Sequence, residues 1–132
     1  MLKLTQKTEY AFIAFRFLQL KSIDKPIKAK EISEIENIPL PILSKVLQHL
    51  LRVNLIETIK GAHGGYRLSI NLNKLNLWKF LETMEGPLGL VDCLASSKCD
   101  QEDRFSIETP ISKINYTVKN IFNNLSVSDV TI

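Results

Sequence analysis

The segment ETIKGAHGGYRLSI, residues 57–70, combines three glycines with three basic side chains, Lys60, His63 and Arg67. Glycine amides can cradle a phosphate, or glycines can form a tight bend that carries basic side chains outward. A phosphate-binding loop of the Walker type requires Lys and then Ser or Thr after the glycines, at the start of a helix. Here the glycines are followed by the β-prone run YRL. The segment therefore predicts a hairpin with a basic tip, or an ordinary hairpin with incidental charges.

The second group of residues that could carry out chemistry is a pair of cysteines, Cys93 and Cys99, in a stretch without clear periodicity. Two cysteines are too few for a disulfide framework. In the cytoplasm, where we expect this chain, thiols stay reduced and cysteine pairs more often serve metal or redox chemistry. An acidic run follows the pair, consisting of Asp100, Glu102 and Asp103.

The elements that must position these groups are mainly helical. Apolar periodicity predicts a first helix over Thr5–Leu20 and a second within AKEISEIENIP, residues 29–39. A third helix follows in residues 40–54, with Pro41 in its first turn and Asn54 as a left-handed terminator. The short turn between the second and third helices has the spacing of a helix-turn-helix. The predicted buried stripe of the third helix is Leu43, Val46, Leu47 and Leu50.

The order of helices followed by a hairpin is that of a winged helix-turn-helix, so we predict a mainly α fold with a small β-hairpin. A further helix in LNLWKFLETMEG is predicted to be capped by Asn76 and ended by Gly86. We predict a winged-helix domain over residues 1–86, a cysteine-containing sensor loop over 87–106, and a dimerisation helix with a tail over 107–132.

The last helix shows heptad spacing, typical of a seam against another helix. Its apolar positions are Ile107, Ile111, Ile114, Val118, Ile121 and Leu125. Pro110 is tolerated only in a first turn, so the helix should begin close to residues 106–109. A long C-terminal dimerisation helix is one interpretation, and packing against the chain's own helices is the other.

Charge is distributed unevenly along the 132 residues, which suit one domain. Residues 1–67 hold 11 basic and 6 acidic side chains, a net of +5, whereas residues 68–132 hold 6 and 8, a net of −2. A basic N-terminal half suits binding to nucleic acid, although an ordinary solvated surface would show a similar charge.

No apolar run is long enough to span a membrane, and the N-terminus lacks the apolar core of a signal peptide. Two histidines in separate elements and no nucleophile–base signature argue against an enzyme. A protein-interaction adaptor stays open.

The segment IPLPILSKVLQHLLRVNLIETIKGAHGGYRLS resembles the signature of the Rrf family of bacterial winged-helix transcriptional regulators. Its most specific part is Lys60-Gly61 followed by Gly64-Gly65-Tyr66-x-Leu68, and LNLWKFLETMEGPLGLVDC resembles the family's linker helix. Asn54 stands where the family usually has glycine, and Asn tolerates a left-handed conformation. The resemblance implies a homodimer that binds a palindromic operator in double-stranded DNA. In such a complex, the third helix of each subunit enters the major groove and the wing contacts the flanking minor groove or phosphates.

The resemblance makes the exposed face of the third helix, the basic residues beside the second helix and the wing candidates for DNA binding. These are Lys28, Lys30, Ser44, Lys45, Gln48, Arg52, Lys60, His63 and Arg67. Ser44 and Gln48 have side chains that read base edges, whereas Lys45 and Arg52 are suited to phosphates. Each charge taken singly also fits a solvated surface.

The resemblance also implies a cofactor, because cluster-binding members hold an iron–sulfur cluster with three loop cysteines and one other ligand. In some members that ligand is an acid on the partner's first helix, which Glu9 resembles. A third cysteine at the same interval would fall on Phe105, which cannot bind iron. Cys93, Cys99 and Glu9 are therefore an incomplete set for a 2Fe–2S or 4Fe–4S cluster. The open candidates for a further donor are Glu108, Asp100 and Asp103.

Such a site would sense redox state, nitric oxide or iron–sulfur status. Three alternatives compete with it. The cysteines could close a disulfide on oxidation, they could hold zinc with the same missing ligands, or the site could be degenerate. In the last case a cluster-free regulator of the same fold would respond to a small ligand or a partner protein.

Overall fold

A computed structural model describes residues 3–21, 25–89 and 110–131 of the chain. The described part is mostly helical with one antiparallel hairpin, as predicted. Its elements are α1 Gln6–Lys21, α2 Ala29–Glu36, α3 Leu40–Arg52, β1 Ile56–Ile59, β2 Gly65–Leu68, a 3₁₀ turn Leu72–Lys74, α4 Leu77–Glu85, α5 Pro110–Asn123 and α6 Val127–Thr131. None of these helices combines the length and hydropathy of a membrane span.

The chain divides into two compact units. The N-terminal unit is Gln6–Leu72 with Val130–Ile132, and the C-terminal unit is Met1–Thr5 with Asn73–Asp129. The predicted boundaries at residues 86 and 106 stay predictions. The two cysteines lie outside the described residues, so the structure does not describe the sensor loop.

The core of the N-terminal unit forms where α1, α2 and α3 pack against one another. The predicted stripe of α3 is fully buried. From α1, Ala11, Ala14, Phe17 and Leu18 are buried, while Tyr10 is only half-buried. Phe15 and Thr8 are also fully buried. The hydroxyl of Thr8 has no hydrogen-bond partner among the described residues.

The turn between α2 and α3 contains three residues, Asn37 to Pro39. Asn37 adopts the left-handed conformation at φ 56°, and its amide N–H donates to the carbonyl oxygen of Ser33. The hydroxyl of Ser33 donates in turn to the carbonyl oxygen of Ile38 at 2.5 Å. Asn54, after α3, has φ 63°, which confirms it as a left-handed terminator. These two asparagines fix the chain direction on either side of α3.

The hairpin pairs β1 with β2 in a register that places Glu57 opposite Arg67 and Ile59 opposite Gly65. A third segment joins it, which the sequence did not predict. The amide N–H of Ile27 donates to the carbonyl oxygen of Tyr66 at 2.8 Å, and that of Tyr66 donates back at 2.7 Å. Ile27 precedes α2, so this bridge holds the wing against the start of the helix-turn-helix.

In the C-terminal unit, the predicted caps of α4 are confirmed. The side-chain oxygen of Asn76 accepts from the amide of Lys79 at 2.9 Å, and Gly86 follows the helix with φ 84°. α5 packs on α4, with the rings of Trp78 and Phe122 6.0 Å apart between centroids. The described part of α5 begins at Pro110 and ends at Asn123, two residues before the last heptad position.

Candidate nucleic-acid interface

The exposed face of α3 is polar, and helix geometry defines it. Lys45, Gln48 and Arg52 recur at intervals of three and four, opposite the buried stripe, and all three are exposed. Ser44 lies at the edge of this face and is half-buried. The structure therefore brings together the four residues of α3 that the sequence proposed for DNA contact.

The flank of α3 that faces α1 is fixed by a polar contact. The ammonium group of Lys7 lies 2.6 Å from Nδ1 of His49, in a partly buried position. An ammonium group can only donate, so Nδ1 accepts and the other ring nitrogen carries the proton. This contact orients α3 through its side, and it leaves the exposed face clear.

The wing presents its basic side chains unequally. Lys60 and His63 are exposed, and neither makes a hydrogen bond or ion pair with another described residue. Arg67 is different, because its Nε donates to Oε1 of the opposing Glu57 at 2.5 Å. Both side chains are about half exposed, and solvent-exposed pairs contribute little to stability. To contact a DNA phosphate, Arg67 would have to give up its ion pair with Glu57.

A cleft of about 240 Å³ joins the wing tip to the start of α2. Lys25, Lys28 and His63 line it, together with Glu31, and the small residues Ala62 and Gly64 leave space between them. The sequence did not single out Lys25, although it opens the basic stretch KPIKAK that contains Lys28 and Lys30. Lys30 is exposed on α2 outside the cleft lining. The cleft is wide enough for a phosphate group and carries a net positive charge.

Of the three proposed metal ligands, Glu9 lies within the described residues, and the prediction for Cys93 and Cys99 stays a prediction. Glu9 lies exposed on α1, and its carboxylate makes no hydrogen bond or ion pair with another described residue. Within residues 3–21, 25–89 and 110–131, no three His, Cys, Asp or Glu side chains come close enough to hold a metal ion. Two thiolates and one carboxylate are fewer than the four donors of an iron–sulfur site. The described residues therefore do not complete a ligand set.

The family model "Rrf2: Iron-dependent Transcriptional regulator" matches residues 4–131 of the chain. The chain belongs to the Rrf2 family. Among relatives, this Rrf2 protein is 36% identical over 92 residues to the transcriptional regulator NsrR of Halalkalibacterium halodurans, covering 70% of this chain and 63% of the relative. It is 24% identical to IscR of Pectobacterium atrosepticum, over 98% of this chain and 79% of the relative.

Solved structures show the same fold. The global cysteine regulator CymR of B. subtilis matches this Rrf2 protein with a TM-score of 0.78 at 23% identity, covering 99% of this chain and 97% of that one. IscR of T. potens matches with a TM-score of 0.69 at 19% identity, covering 98% and 85%. The winged-helix prediction is thereby confirmed. The relatives are named as transcriptional regulators, in agreement with the prediction that this Rrf2 protein is not an enzyme.

Proposed function

We propose that the chain is a homodimeric transcriptional regulator that binds a palindromic operator in double-stranded DNA. The observation that carries this proposal is the exposed polar face of α3, next in sequence to a wing whose tip shares a basic cleft with the start of α2. α3 would enter the major groove, where Ser44 and Gln48 reach base edges. Lys45 and Arg52 would contact phosphates of the groove edge, and the cleft would contact a flanking phosphate.

The dimer proposal is supported by α5. Its contact with α4 includes the ring of Phe122, which lies 6.0 Å from the ring of Trp78 between centroids. Ile114 and Ile121 lie about a quarter turn around the helix from Phe122 and stay open to solvent, at 52% and 53% exposed. We call the side that carries the heptad positions the apolar seam, and its members within α5 are Ile111, Ile114, Val118 and Ile121. A second copy of the seam is the simplest partner for it.

The test of DNA binding is the double substitution Lys45→Ala with Lys60→Ala. The probe is a duplex selected from a random library by the wild-type protein. Each lost phosphate contact should reduce the slope of log affinity against log salt by about 0.9. We expect affinity in moderate salt to fall at least about tenfold. Titration by fluorescence anisotropy at several salt concentrations measures both quantities.

Lys74→Ala with Lys79→Ala is the matched control. Both lysines are exposed, and the double substitution removes the same charge from residues outside the proposed interface. The control should keep the wild-type slope and most of the affinity. If the two double variants lost the same amount of DNA affinity, net charge and not the proposed interface would govern binding.

For regulation, we propose that Cys93 and Cys99 hold an iron–sulfur cluster with Glu9 of the partner subunit as one further ligand. The matching family is described as iron-dependent, which supports an iron site. A cluster with oxygen donors would supply a centre that redox change or nitric oxide can alter. The alternative is a cluster-free regulator of the same fold that responds to thiol oxidation, a small ligand or a partner protein.

The cofactor test is an absorption spectrum with iron and acid-labile sulfide assays on protein purified without oxygen. We expect a brown protein with iron and sulfide in matching amounts, and Cys93→Ser should lose both. Glu9→Gln should weaken cluster retention, whereas Glu34→Gln, another exposed helix carboxylate, should not. A colourless, iron-free protein that still binds DNA would favour the cluster-free alternative.

A further inference from the structure

The N-terminal end of α3 is unusual for a helix that reads DNA, because its exposed side chains are apolar. Pro39, Leu40, Pro41 and Ile42 follow one another, and none carries a polar side-chain atom. All four are exposed, with Leu40 40% and Ile42 39% accessible to solvent. We call these four residues the apolar tip. Each of these exposed groups faces water at a cost that burial against another apolar group would remove.

The backbone of the apolar tip is also poor in donors. A helix normally offers its first amide N–H groups to phosphates or other anions. Pro39 and Pro41 have no N–H, and the amide of Leu43 donates to the carbonyl oxygen of Pro39 at 3.0 Å. No side chain caps this end of the helix. The apolar tip is therefore suited to an apolar group more than to a phosphate or a hydrogen-bonding base edge.

The charge next to the apolar tip indicates the molecule that covers it. Lys45 lies one helical turn from Ile42, and the exposed face of α3 continues from it to Arg52. These cations suit the phosphates of a duplex. In a reading helix, the first residues approach the base edges, and the apolar group on those edges in the major groove is the C5-methyl of thymine. Resting on the proposed function, we infer that Leu40 and Ile42 read thymine methyl groups, so that the operator carries T·A pairs at fixed positions.

The test exchanges thymine for deoxyuridine, which keeps every hydrogen-bonding group and lacks only the methyl. The probe is a duplex selected from a random library by the wild-type protein, with each thymine replaced in turn. At the contacted positions the wild type should lose about fourfold in affinity per methyl. Ile42→Ser and Leu40→Ser should each lose the thymine preference at the position that the substituted side chain contacts, and the double variant should bind thymine and deoxyuridine duplexes equally. Circular dichroism confirms that the variants fold.

Ile35→Ser provides the control, because Ile35 is 61% exposed on α2 and lies outside the apolar tip. It should keep the preference for thymine. Tight binding by the wild type with equal affinity for both bases at every position would overturn the inference and leave the proposed function standing. A change of oligomeric state in Ile42→Ser, with its thymine preference intact, would also overturn it in favour of a protein contact. Failure to bind any duplex would remove the proposed function and this inference with it.

Discussion

Substituting Gly64 with alanine should destabilise the protein by about 3 kcal/mol, because an added methyl group has no room. An ideal Cβ at Gly64 would lie 2.0 Å from the carbonyl oxygen of Ile59 and 2.9 Å from its carbon. The obstacle is backbone of the facing strand, which cannot rotate away as a side chain would. The hairpin would have to open at its tip, and the basic cleft lined by His63 would lose its shape.

Gly65→Ala should have a comparable effect for two reasons. Its φ is 152°, in a region that favours glycine, and its added Cβ would lie 2.6 Å from the carbonyl carbon and oxygen of Ile27. That is the point at which Ile27 and Tyr66 exchange their two hydrogen bonds. The substitution would therefore strain the wing and separate it from the residues that lead into α2.

Gly61→Ala is the control for both variants. Gly61 also has a positive φ, 113°, but nothing lies within 4 Å of an added Cβ. We expect a cost of about 1 kcal/mol, from the backbone conformation alone. Thermal and urea denaturation, followed by circular dichroism, measures the stability of all three variants. We expect Gly64→Ala to lower the Tm by about 10 °C. If Gly64→Ala and Gly61→Ala have the same Tm, the close approach of Gly64 to Ile59 does not determine the stability of the hairpin.

Much of the fold could be predicted because its signals are local. The stripe of α3 follows from helical periodicity, and the caps Asn76 and Gly86 follow from residue type at a helix end. Asn54 was predicted for the same reason, since a left-handed position after a helix requires glycine or asparagine. Such features depend on neighbours a few residues away, which the sequence displays directly.

What the sequence did not reveal depends on residues that are distant along the chain. The bridge between Ile27 and Tyr66 joins positions on either side of the helix-turn-helix, and no periodicity marks an isolated pair. Arg67 was proposed to face DNA, yet its ion pair with Glu57 becomes visible only once the hairpin register is known. Lys25 likewise joins the candidate site only through the folded shape of the cleft.

The apolar seam of α5 underlies the second large prediction. Heptad spacing alone is equally consistent with packing inside one chain and with pairing between two. Within the part of the chain that the structure describes, α5 contacts α4 through Phe122 and leaves Ile114 and Ile121 about half exposed. An isolated helix face of this kind is more stable when it is covered, so the exposure favours a partner helix.

The double substitution Ile114→Glu with Ile121→Glu should convert a dimer into a monomer. It removes two isoleucines from each copy of the seam and places four carboxylates in an apolar interface, which should raise the dimer dissociation constant roughly 10³-fold or more. Operator binding should fall at least about a hundredfold, because one reading helix holds only half of a palindrome. Sedimentation velocity measures the mass, and anisotropy measures the DNA affinity.

Tyr116→Glu with Asn120→Glu adds the same two charges per chain to the exposed side of α5 that lies opposite the seam. This control should remain dimeric and should keep most of its DNA affinity, apart from a modest loss from added negative charge. A wild-type protein that sediments as a monomer would disprove the role of the seam. A seam variant that stays dimeric and binds DNA as well as the control would also disprove it. The dimer contact would then have to be made by another part of the chain.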